Sequence, residues 1–275
     1  MTKGFLTVAQ NGTHDYVRLA YALALSLKLS QSKHSDLSVI VNEGDKIPKK
    51  YLHAFDKIIY VDKVEDQWKI QNKWQYYWVS PYDETICLDA DILFFYDISH
   101  WWDYLGIYND IDFTTTTMNY RNQTITSNYY RKTFVENGLP NLYTALFYFK
   151  KSKEIEIYFK LVKLIFQNWK DFYTSCLQNP PSRLSGDVVY ALAAKIMFPR
   201  RWENHLRLTH MRGRLQDATM VGDWNKYLPT FFTKVDKNIG LKVGNYDQRY
   251  PFHYIKKNFL TDEVIELYEN TIRLL

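Results

Sequence analysis

The sequence predicts an α/β protein in which helices flank a mostly parallel central sheet. Over the first hundred residues, short apolar runs alternate with segments whose apolar residues recur at helical spacing. Strands and helices in alternation are typical of βαβ units, whose strands run parallel. A further observation is the run "ETICLDADILFFYD", which is apolar enough to be a strand buried on both faces, as the inner strands of parallel sheets are.

Each element of the first half can be assigned from its own pattern. "GFLTVAQ" is the first predicted strand, and "YVRLAYALALSLKLS" is an amphipathic helix that ends near Ser30. "LSVIV" and "KIIYVD" are the second and third strands, with a short helix in "KKYLHAF" between them. The aromatic residues of "NKWQYYW", together with Ile70, mark one face of another helix, which Pro81 ends before the strand "ETICLDAD".

The second half is predicted to add one strand and three helices. "TALFYFKKS" predicts the strand, "EIEIYFKLVKLIFQNW" a helix, and "GDVVYALAAKI" a helix whose first turn carries Asp187. Pro180 and Pro181 mark the loop between these two helices. The segment 202–250 is less regular, and "TDEVIELYENTIRLL" closes the chain as an amphipathic helix capped by Thr261. Because the chain contains no internal repeat, low-complexity tract or linker, we expect a single domain.

The charge of the chain is mildly positive and unevenly distributed. The sequence has 35 Lys and Arg residues against 30 Asp and Glu residues, a net charge of +5. One short span, "PRRWENHLRLTHMRGR", contains five arginines: Arg200, Arg201, Arg207, Arg212 and Arg214. Such a cluster can bind a polyanion, or it can be a solvated face that pairs with acidic residues elsewhere in the fold.

The cysteines and the amino terminus favour a reducing compartment. Cys87 and Cys176 are isolated in apolar surroundings, so they form neither a disulfide framework nor a CxxC metal site. The first residues, "MTKGFLTVAQ", lack the apolar core and cleavage site of a signal peptide, and no apolar run is long enough for a transmembrane helix. We therefore expect a cytoplasmic protein.

Asp89 and Asp91 are the strongest functional signal in the sequence. Burying an ionised carboxylate is costly unless it is paired or binds a metal, yet both residues lie in an apolar run. Separated by one residue at a strand end, their side chains point the same way and can together hold a hard divalent cation. Mg²⁺ or Mn²⁺ held in this way takes its remaining ligands from water and from the phosphates of a substrate.

Ligands of open α/β sheets bind beyond the carboxyl ends of the strands, which places the predicted site near Asp89 and the end of the first strand. No GxGxxG follows that strand, and no GxxxxGK[ST] occurs in the sequence. Both absences argue against a dinucleotide-binding Rossmann enzyme and against a P-loop NTPase.

With these motifs the sequence resembles the GT-A glycosyltransferases, and among them the glycogenin-type enzymes, which use UDP-sugars. "GFLTVAQN" followed by "YVRLAYALALSLK" is similar to the family's opening strand and helix, where strand-end residues and a tyrosine hold the uridine. The resemblance implies these roles for Val8, Gln10, Asn11 and Tyr16. It also implies a single GT-A (Rossmann-like) domain, in which residues 1–100 bind the nucleotide-sugar and residues 101–275 bind the acceptor.

The same resemblance implies the remaining site residues. "NKWQYYWVSPYDETICLDAD" is similar to a segment in which a lysine on the helix before the metal-binding strand contacts the donor, here Lys73. "SGDVVYALA" resembles a helix start whose aspartate lies beside the transferred sugar, although Asp187 fits a plain helix cap equally well. "YPFHYIKKN" resembles the segment that supplies His253 as third metal ligand and a lysine to the diphosphate, either Lys256 or Lys257, of which we assign Lys256.

The implied reaction is the transfer of a sugar from a UDP-sugar, or a related NDP-sugar, to an acceptor hydroxyl, with retention of the anomeric configuration. Mn²⁺ or Mg²⁺ bound by Asp89, Asp91 and His253 would stabilise the departing diphosphate together with Lys73. Lys73 and Asp187 are therefore the candidate catalytic residues, and Asp89 also belongs to the donor site.

Two hypotheses for the acceptor and one hypothesis without catalysis remain open. The Arg-rich span at 200–214 and the aromatic-basic "NYYRKTF" favour DNA, with basic residues following phosphates and aromatic rings holding an extruded base. Compact, tyrosine-rich chains of this kind also resemble proteins of tailed bacteriophages, some of which glycosylate hydroxymethylated pyrimidines such as 5-hydroxymethylcytosine in their DNA. The alternatives are a bacterial surface-polysaccharide or lipopolysaccharide glycosyltransferase, and a nucleotide-sugar binding protein without activity.

Overall fold

The structure is a computed structural model that describes most of the chain. The described residues are 1–62, 71–107, 109–125, 131–198, 206–210, 232–235, 237–243, 245–254 and 256–275. Several residues singled out in the sequence lie outside these ranges: Ile70, Arg200, Arg201, Arg212 and Arg214. Arg207 lies within the described range 206–210.

The described strands form two sheets. Their bounds are β1 (Lys3–Val8), β2 (Leu37–Asn42), β3 (Ile58–Val61), β4 (Glu84–Asp89), β5 (Ile92–Leu93), β6 (Ile111–Met118), β7 (Thr124–Ile125), β8 (Tyr143–Lys150), β9 (Leu206–His210), β10 (Phe232–Val235), β11 (Asn238–Val243), β12 (Tyr246–Asp247) and β13 (Phe252–His253). The main sheet has the order β3-β2-β1-β4-β8-β6-β9-β13-β5, with β7 beside β6, and β10, β11 and β12 form a small antiparallel sheet.

The main sheet is mostly parallel, as the sequence predicts. The pairs β3-β2, β2-β1 and β1-β4 are parallel, and so are β6-β9 and β9-β13. Strand β8 is antiparallel to both of its neighbours, β4 and β6, so the two parallel groups run in the same direction. Their carboxyl ends therefore meet at one edge of the sheet, where ligands of such folds bind.

Helices cover both faces of this sheet. The described α-helices are α1 (Tyr16–Ser30), α2 (Tyr76–Val79), α3 (Trp101–Tyr104), α4 (Lys132–Glu136), α5 (Lys153–Gln167), α6 (Trp169–Cys176), α7 (Gly186–Met197) and α8 (Asp262–Arg273). Short 3₁₀ helices span Lys49–Ala54, Gln71–Gln75 and Lys257–Phe259. No described helix is long and apolar enough to cross a membrane.

The central strands are buried on both faces because their alternate side chains enter two different cores. In β4, Ile86 and Leu88 pack in a core with residues of α1 and α8, and Cys87 between them packs in a second core with residues of α5 and α7. In β1, Phe5 joins the first core and Leu6 the second. The predicted strand with two buried faces is thereby confirmed.

Most predicted elements are confirmed, with exceptions in two helices and one strand. The helix before Pro81 is a 3₁₀ helix followed by the single turn α2, and the long helix after β8 ends at Gln167, two residues earlier than predicted. Strand β6, "IDFTTTTM", was not predicted because four threonines interrupt its apolar pattern. Pairing with β8 and β9 buries most of it, and the hydroxyl of Thr114 donates to the carbonyl of Leu146 at 2.9 Å.

Candidate active site

Three potential metal ligands meet at the carboxyl edge of the main sheet. Asp89 ends β4, and Asp91 lies in the turn between β4 and β5. His253, more than 160 positions further along the chain, reaches them because β13 pairs with β5, with His253 opposite Ile92. One ligand atom from each of Asp89, Asp91 and His253 lies within 4.8 Å of the others. The Nε2 atom of His253 is 3.1 Å from Asp91 Oδ2 and 3.9 Å from Asp89 Oδ2.

Two lysines each contact one of these two carboxylates. The ammonium of Lys73 donates to Asp89 Oδ1 at 2.5 Å and lies 3.4 Å from the carbonyl of Thr144. Its own carbonyl accepts a hydrogen bond from the hydroxyl of Tyr190 at 2.9 Å, which ties this short 3₁₀ helix to α7. On the other side of the cluster, Lys257 donates to Asp91 Oδ2.

The electrostatics of the cluster follow from these pairings. Burial alone would raise the pKa of the Asp91 carboxyl, but His253 and Lys257 more than offset it and hold that pKa well below its usual range. Burial alone would lower the pKa of Lys73 and that of His253. The pKa of Lys73 is nevertheless raised, chiefly by Asp89, and the pKa of His253 is raised, chiefly by Asp91. The buried Asp91 carboxylate is therefore ionised, and nearby cations compensate its charge.

The donor set of this cluster fits a divalent metal ion. Carboxylate oxygens suit Mg²⁺ and Mn²⁺, and imidazole nitrogen is the commonest protein ligand of metals. Asp91 and His253 are buried, with 4% and 8% of their surface exposed. The protein would therefore cover an ion on the side where these two residues hold it. Because a histidine binds metal through an unprotonated ring nitrogen, the Nε2 atom of His253 cannot donate to Asp91 while it holds an ion.

Asp187 is held rigidly beside this cluster. Its Oδ1 atom accepts from the backbone N–H of Thr144 at 2.8 Å and from the Thr144 hydroxyl at 2.7 Å, and its Oδ2 atom lies 3.3 Å from Arg131. Asp187 also contributes to the raised pKa of Lys73. The carboxylate therefore ties the start of α7 to β8.

Arg131 is an interior residue, whereas the sequence hypothesis for "NYYRKTF" places its basic residues along DNA phosphates. Arg131 and Phe134 are each only 4% exposed, Lys132 is exposed, and residues 128–130 of this motif lie outside the described ranges. The guanidinium lies 3.4 Å from the ring centroid of Tyr143 and 4.4 Å from that of Phe134, and it donates to the carbonyl of Leu142 at 2.7 Å. Its partner Asp187 is 56 positions away in sequence, so no local pattern could reveal the pairing.

The residues assigned to the nucleotide lie at the adjoining strand end. Val8 is the register partner of Asp89, and the buried Gln10 donates to the side chain of Asn42. Asn11 is exposed, and its Oδ1 atom accepts from the Val17 N–H at 3.1 Å, near the start of α1.

Tyr16, in the first turn of α1, lies close enough to Asp91 and Asp89 to feel their charge. Burial, with the nearby Asp91 and Asp89, raises the pKa of its hydroxyl to about 12. The Lys257 ammonium lies 5.5 Å from the centroid of its ring. Lys256, which the sequence assignment preferred over Lys257, is exposed. Lys257 is therefore the lysine of this segment that the structure brings to Asp91, and the sequence offered no means of choosing it.

Comparison with solved structures finds glycosyltransferases of similar fold. Mouse xyloside xylosyltransferase 1, in its apo form, matches with a TM-score of 0.56 and 11% identity over 95% of this chain and 100% of that chain. An active-site mutant of LgtC matches with a TM-score of 0.53 and 10% identity over 99% of this chain and 96% of that chain. The bifunctional glycosyltransferase WbbM matches with a TM-score of 0.42 and 10% identity, over 60% of this chain and 34% of that protein.

No protein-family model matches the sequence, and no curated protein matches it either. The similarity to solved structures thus lies in the three-dimensional arrangement, over almost the full length of both xyloside xylosyltransferase 1 and LgtC. The mixed α/β architecture and the mostly parallel sheet agree with this similarity. The chain therefore has the GT-A fold of these glycosyltransferases.

Proposed function

We propose that this protein is a metal-dependent glycosyltransferase that moves a sugar from a UDP-sugar, or a related NDP-sugar, to an acceptor hydroxyl. The observation that carries the proposal is the cluster of Asp89, Asp91 and His253 at the carboxyl edge of a GT-A sheet. The GT-A fold alone would fit an inactive relative equally well. The buried Asp91, the partly exposed Asp89 and a histidine from a distant part of the chain favour a site that binds a cation and performs chemistry.

In this proposal one group of residues binds the nucleoside of the donor, and a second group binds its diphosphate. Val8, Gln10, Asn11 and Tyr16 hold the nucleoside beyond β1. Asp89, Asp91 and His253 would hold Mn²⁺ or Mg²⁺, which neutralises charge on the diphosphate as it leaves. Lys73, fixed through its carbonyl by Tyr190, offers a buried ammonium beside that charge.

Asp187 is suited to position the transferred sugar. Its two carboxylate oxygens are held by Thr144 and Arg131, so the side chain presents a fixed acceptor to a sugar hydroxyl. As in the glycogenin-type enzymes that the sequence resembles, we expect the anomeric configuration of the donor to be retained.

Release of nucleoside diphosphate in the presence of Mn²⁺ tests the proposal. We expect one UDP-sugar of a donor panel to be hydrolysed slowly without acceptor. Chelation with EDTA should lower the rate about 100-fold or more, because the metal supplies several kcal/mol of charge stabilisation. Added Mn²⁺ should restore it. Equal rates with and without EDTA would exclude metal dependence, and no turnover of any NDP-sugar would leave the non-enzymatic binding protein as the better account.

For the acceptor we infer a hydroxymethylated pyrimidine, such as 5-hydroxymethylcytosine, in DNA. The support is the Arg-rich span, whose described part is β9. This strand pairs in parallel with β13, so that His210 lies opposite His253 in the register. Part of the span therefore borders the strand that carries a metal ligand. DNA binding of this kind depends on arginines that neutralise phosphates.

Salt dependence of DNA binding distinguishes the acceptor hypotheses. If three to five arginines of the span contact phosphates, the plot of log K against log salt should have a slope of about −3 to −5. Replacing Arg212 by Gln should reduce that slope by about one, whereas Lys160→Gln, on an exposed side chain of α5, should not change it. Absence of DNA binding at low salt, with transfer to a lipid-linked saccharide, would instead support the surface-polysaccharide or lipopolysaccharide enzyme.

A further inference from the structure

Asp91 Oδ2 is occupied by two nitrogen atoms of the protein itself. His253 Nε2 lies 3.1 Å away, and the Lys257 ammonium contacts the same oxygen. Only 6% of the Asp91 side chain and 16% of the Lys257 side chain are exposed. The ammonium therefore lies on the side of Asp91 that faces His253, where a metal shared by these two ligands would lie.

The position of Lys257 is set by packed neighbours. Its 3₁₀ helix is anchored by Phe259, which is fully buried and stacks on Tyr254 with ring centroids 5.2 Å apart. Tyr254 follows His253 directly, and its N–H donates to the carbonyl of Asp91 at 3.1 Å. Beyond the ammonium, the ring of Tyr16 lies 5.5 Å away. These contacts anchor the backbone of Lys257 beside Asp91 and His253, while its side chain can still move.

Lys73 makes a different contact with the other aspartate. Its ammonium lies on Asp89 Oδ1, and the second oxygen, Oδ2, is the one that approaches His253. Lys73 can therefore stay in place while Asp89 Oδ2 binds a metal. Lys257 cannot stay, because it holds the oxygen of Asp91 that faces His253, and two cations at one oxygen repel each other.

We propose that Lys257 is a built-in competitor of the divalent metal, which must leave Asp91 before the ion can bind there. The released ammonium is then free to meet an anion, and the diphosphate of the donor, on the proposed function, supplies one. Metal and donor should consequently bind cooperatively, each raising the affinity of the other by the same factor. In the absence of donor, Lys257 keeps the buried carboxylate neutralised without a metal.

A titration with Mn²⁺ alone tests the competition directly. The signal of free Mn²⁺ in electron paramagnetic resonance gives the dissociation constant without any sugar transfer. We expect Lys257→Met to bind Mn²⁺ about tenfold more tightly than the unaltered protein, within the range of typical coupling energies. Lys242→Met, which removes the same charge from an exposed position on β11, should leave the affinity unchanged. If Lys257→Met does not fold, Lys257→Gln serves the same purpose.

Repeating the titration with UDP present completes the test. UDP should tighten Mn²⁺ binding by the unaltered protein and should tighten it less in Lys257→Met. An unchanged Mn²⁺ affinity in Lys257→Met, or an equal gain in Lys242→Met, would overturn the inference. The result is separable from the proposed function: a shift without turnover of any donor contradicts the enzyme alone, and turnover without a shift contradicts the competition alone.

Discussion

Replacing Asp91 by Asn is expected to lower metal-dependent release of nucleoside diphosphate about 10²–10³-fold. The amide has no charge and cannot match the carboxylate as a ligand of Mg²⁺ or Mn²⁺. Removing one fixed electrostatic group from such a site typically costs this much in rate. The same change removes the charged partner of the Lys257 ammonium and of the buried His253 imidazole. We therefore also expect the substituted protein to be less stable in the absence of metal.

Steady-state release of UDP in saturating Mn²⁺ measures the first effect, and Mn²⁺ titration separates lost binding from lost turnover. Asp103→Asn is the matched control. Asp103 is exposed and pairs with Lys33 on the surface, so its loss should change neither rate nor metal affinity. If Asp91→Asn retained full metal-dependent turnover, Asp91 would not be a metal ligand, and the proposed function would lose the observation that supports it.

The fold could be predicted where local sequence and tertiary structure agree. The strand "LSVIV" and the helix "YVRLAYALALSLKLS" have strong periodicity, and their elements β2 and α1 lie where their patterns indicate. Strand β6 had no such pattern. Thr114 and Thr117 become interior residues only because β8 and β9 flank the strand, a pairing between segments far apart in the chain. Tertiary context thus overrode local preference at this strand.

The candidate site likewise has residues that the sequence predicts and contacts that it does not. Asp89 and Asp91 could be singled out because carboxylates in an apolar run need a physical reason, and His253 followed from a resemblance. The contacts of Lys257 and Arg131 could not be foreseen. Adjacent lysines look alike in sequence, and a buried arginine is indistinguishable from an exposed one until its partners are known. Lys257 contacts Asp91 and Arg131 contacts Asp187. The sequence therefore indicates which residues carry charge, but only the fold shows which opposite charges pair with them.

Arg131→Met is expected to produce the largest loss of stability of any change described above. Breaking a buried ion pair by removing one partner typically costs about 3–5 kcal/mol, because the remaining charge stays buried without compensation. Here the remaining charge is Asp187, whose side chain is 13% exposed. Lys73 compensates part of it, which favours the lower end of that range. For a chain of this length such a loss corresponds to a fall of roughly 10 °C in Tm.

Thermal and urea unfolding measure this loss, and the neighbouring residue supplies the control. Lys132 forms an exposed i,i+4 pair with Glu136, so Lys132→Met should change the free energy of unfolding by no more than about 0.5 kcal/mol. Adding Asp187→Asn to Arg131→Met should recover much of the lost stability, since it removes the uncompensated charge. Additive effects in this double-mutant cycle would contradict the coupling of the two side chains.

The same substitutions separate positioning from binding. If Arg131 holds Asp187 in place beside the transferred sugar, a shift of about 1 Å in the carboxylate should lower kcat about 100-fold, while KM for the donor changes little. Arg131→Lys keeps the charge but loses the planar stacking on Tyr143, so it should recover stability more completely than kcat. If Arg131 had only a structural role, stability and kcat would recover to the same extent in Arg131→Lys. The split between unfolding free energy and kcat in Arg131→Lys therefore decides whether this buried pair serves only the fold or also the reaction.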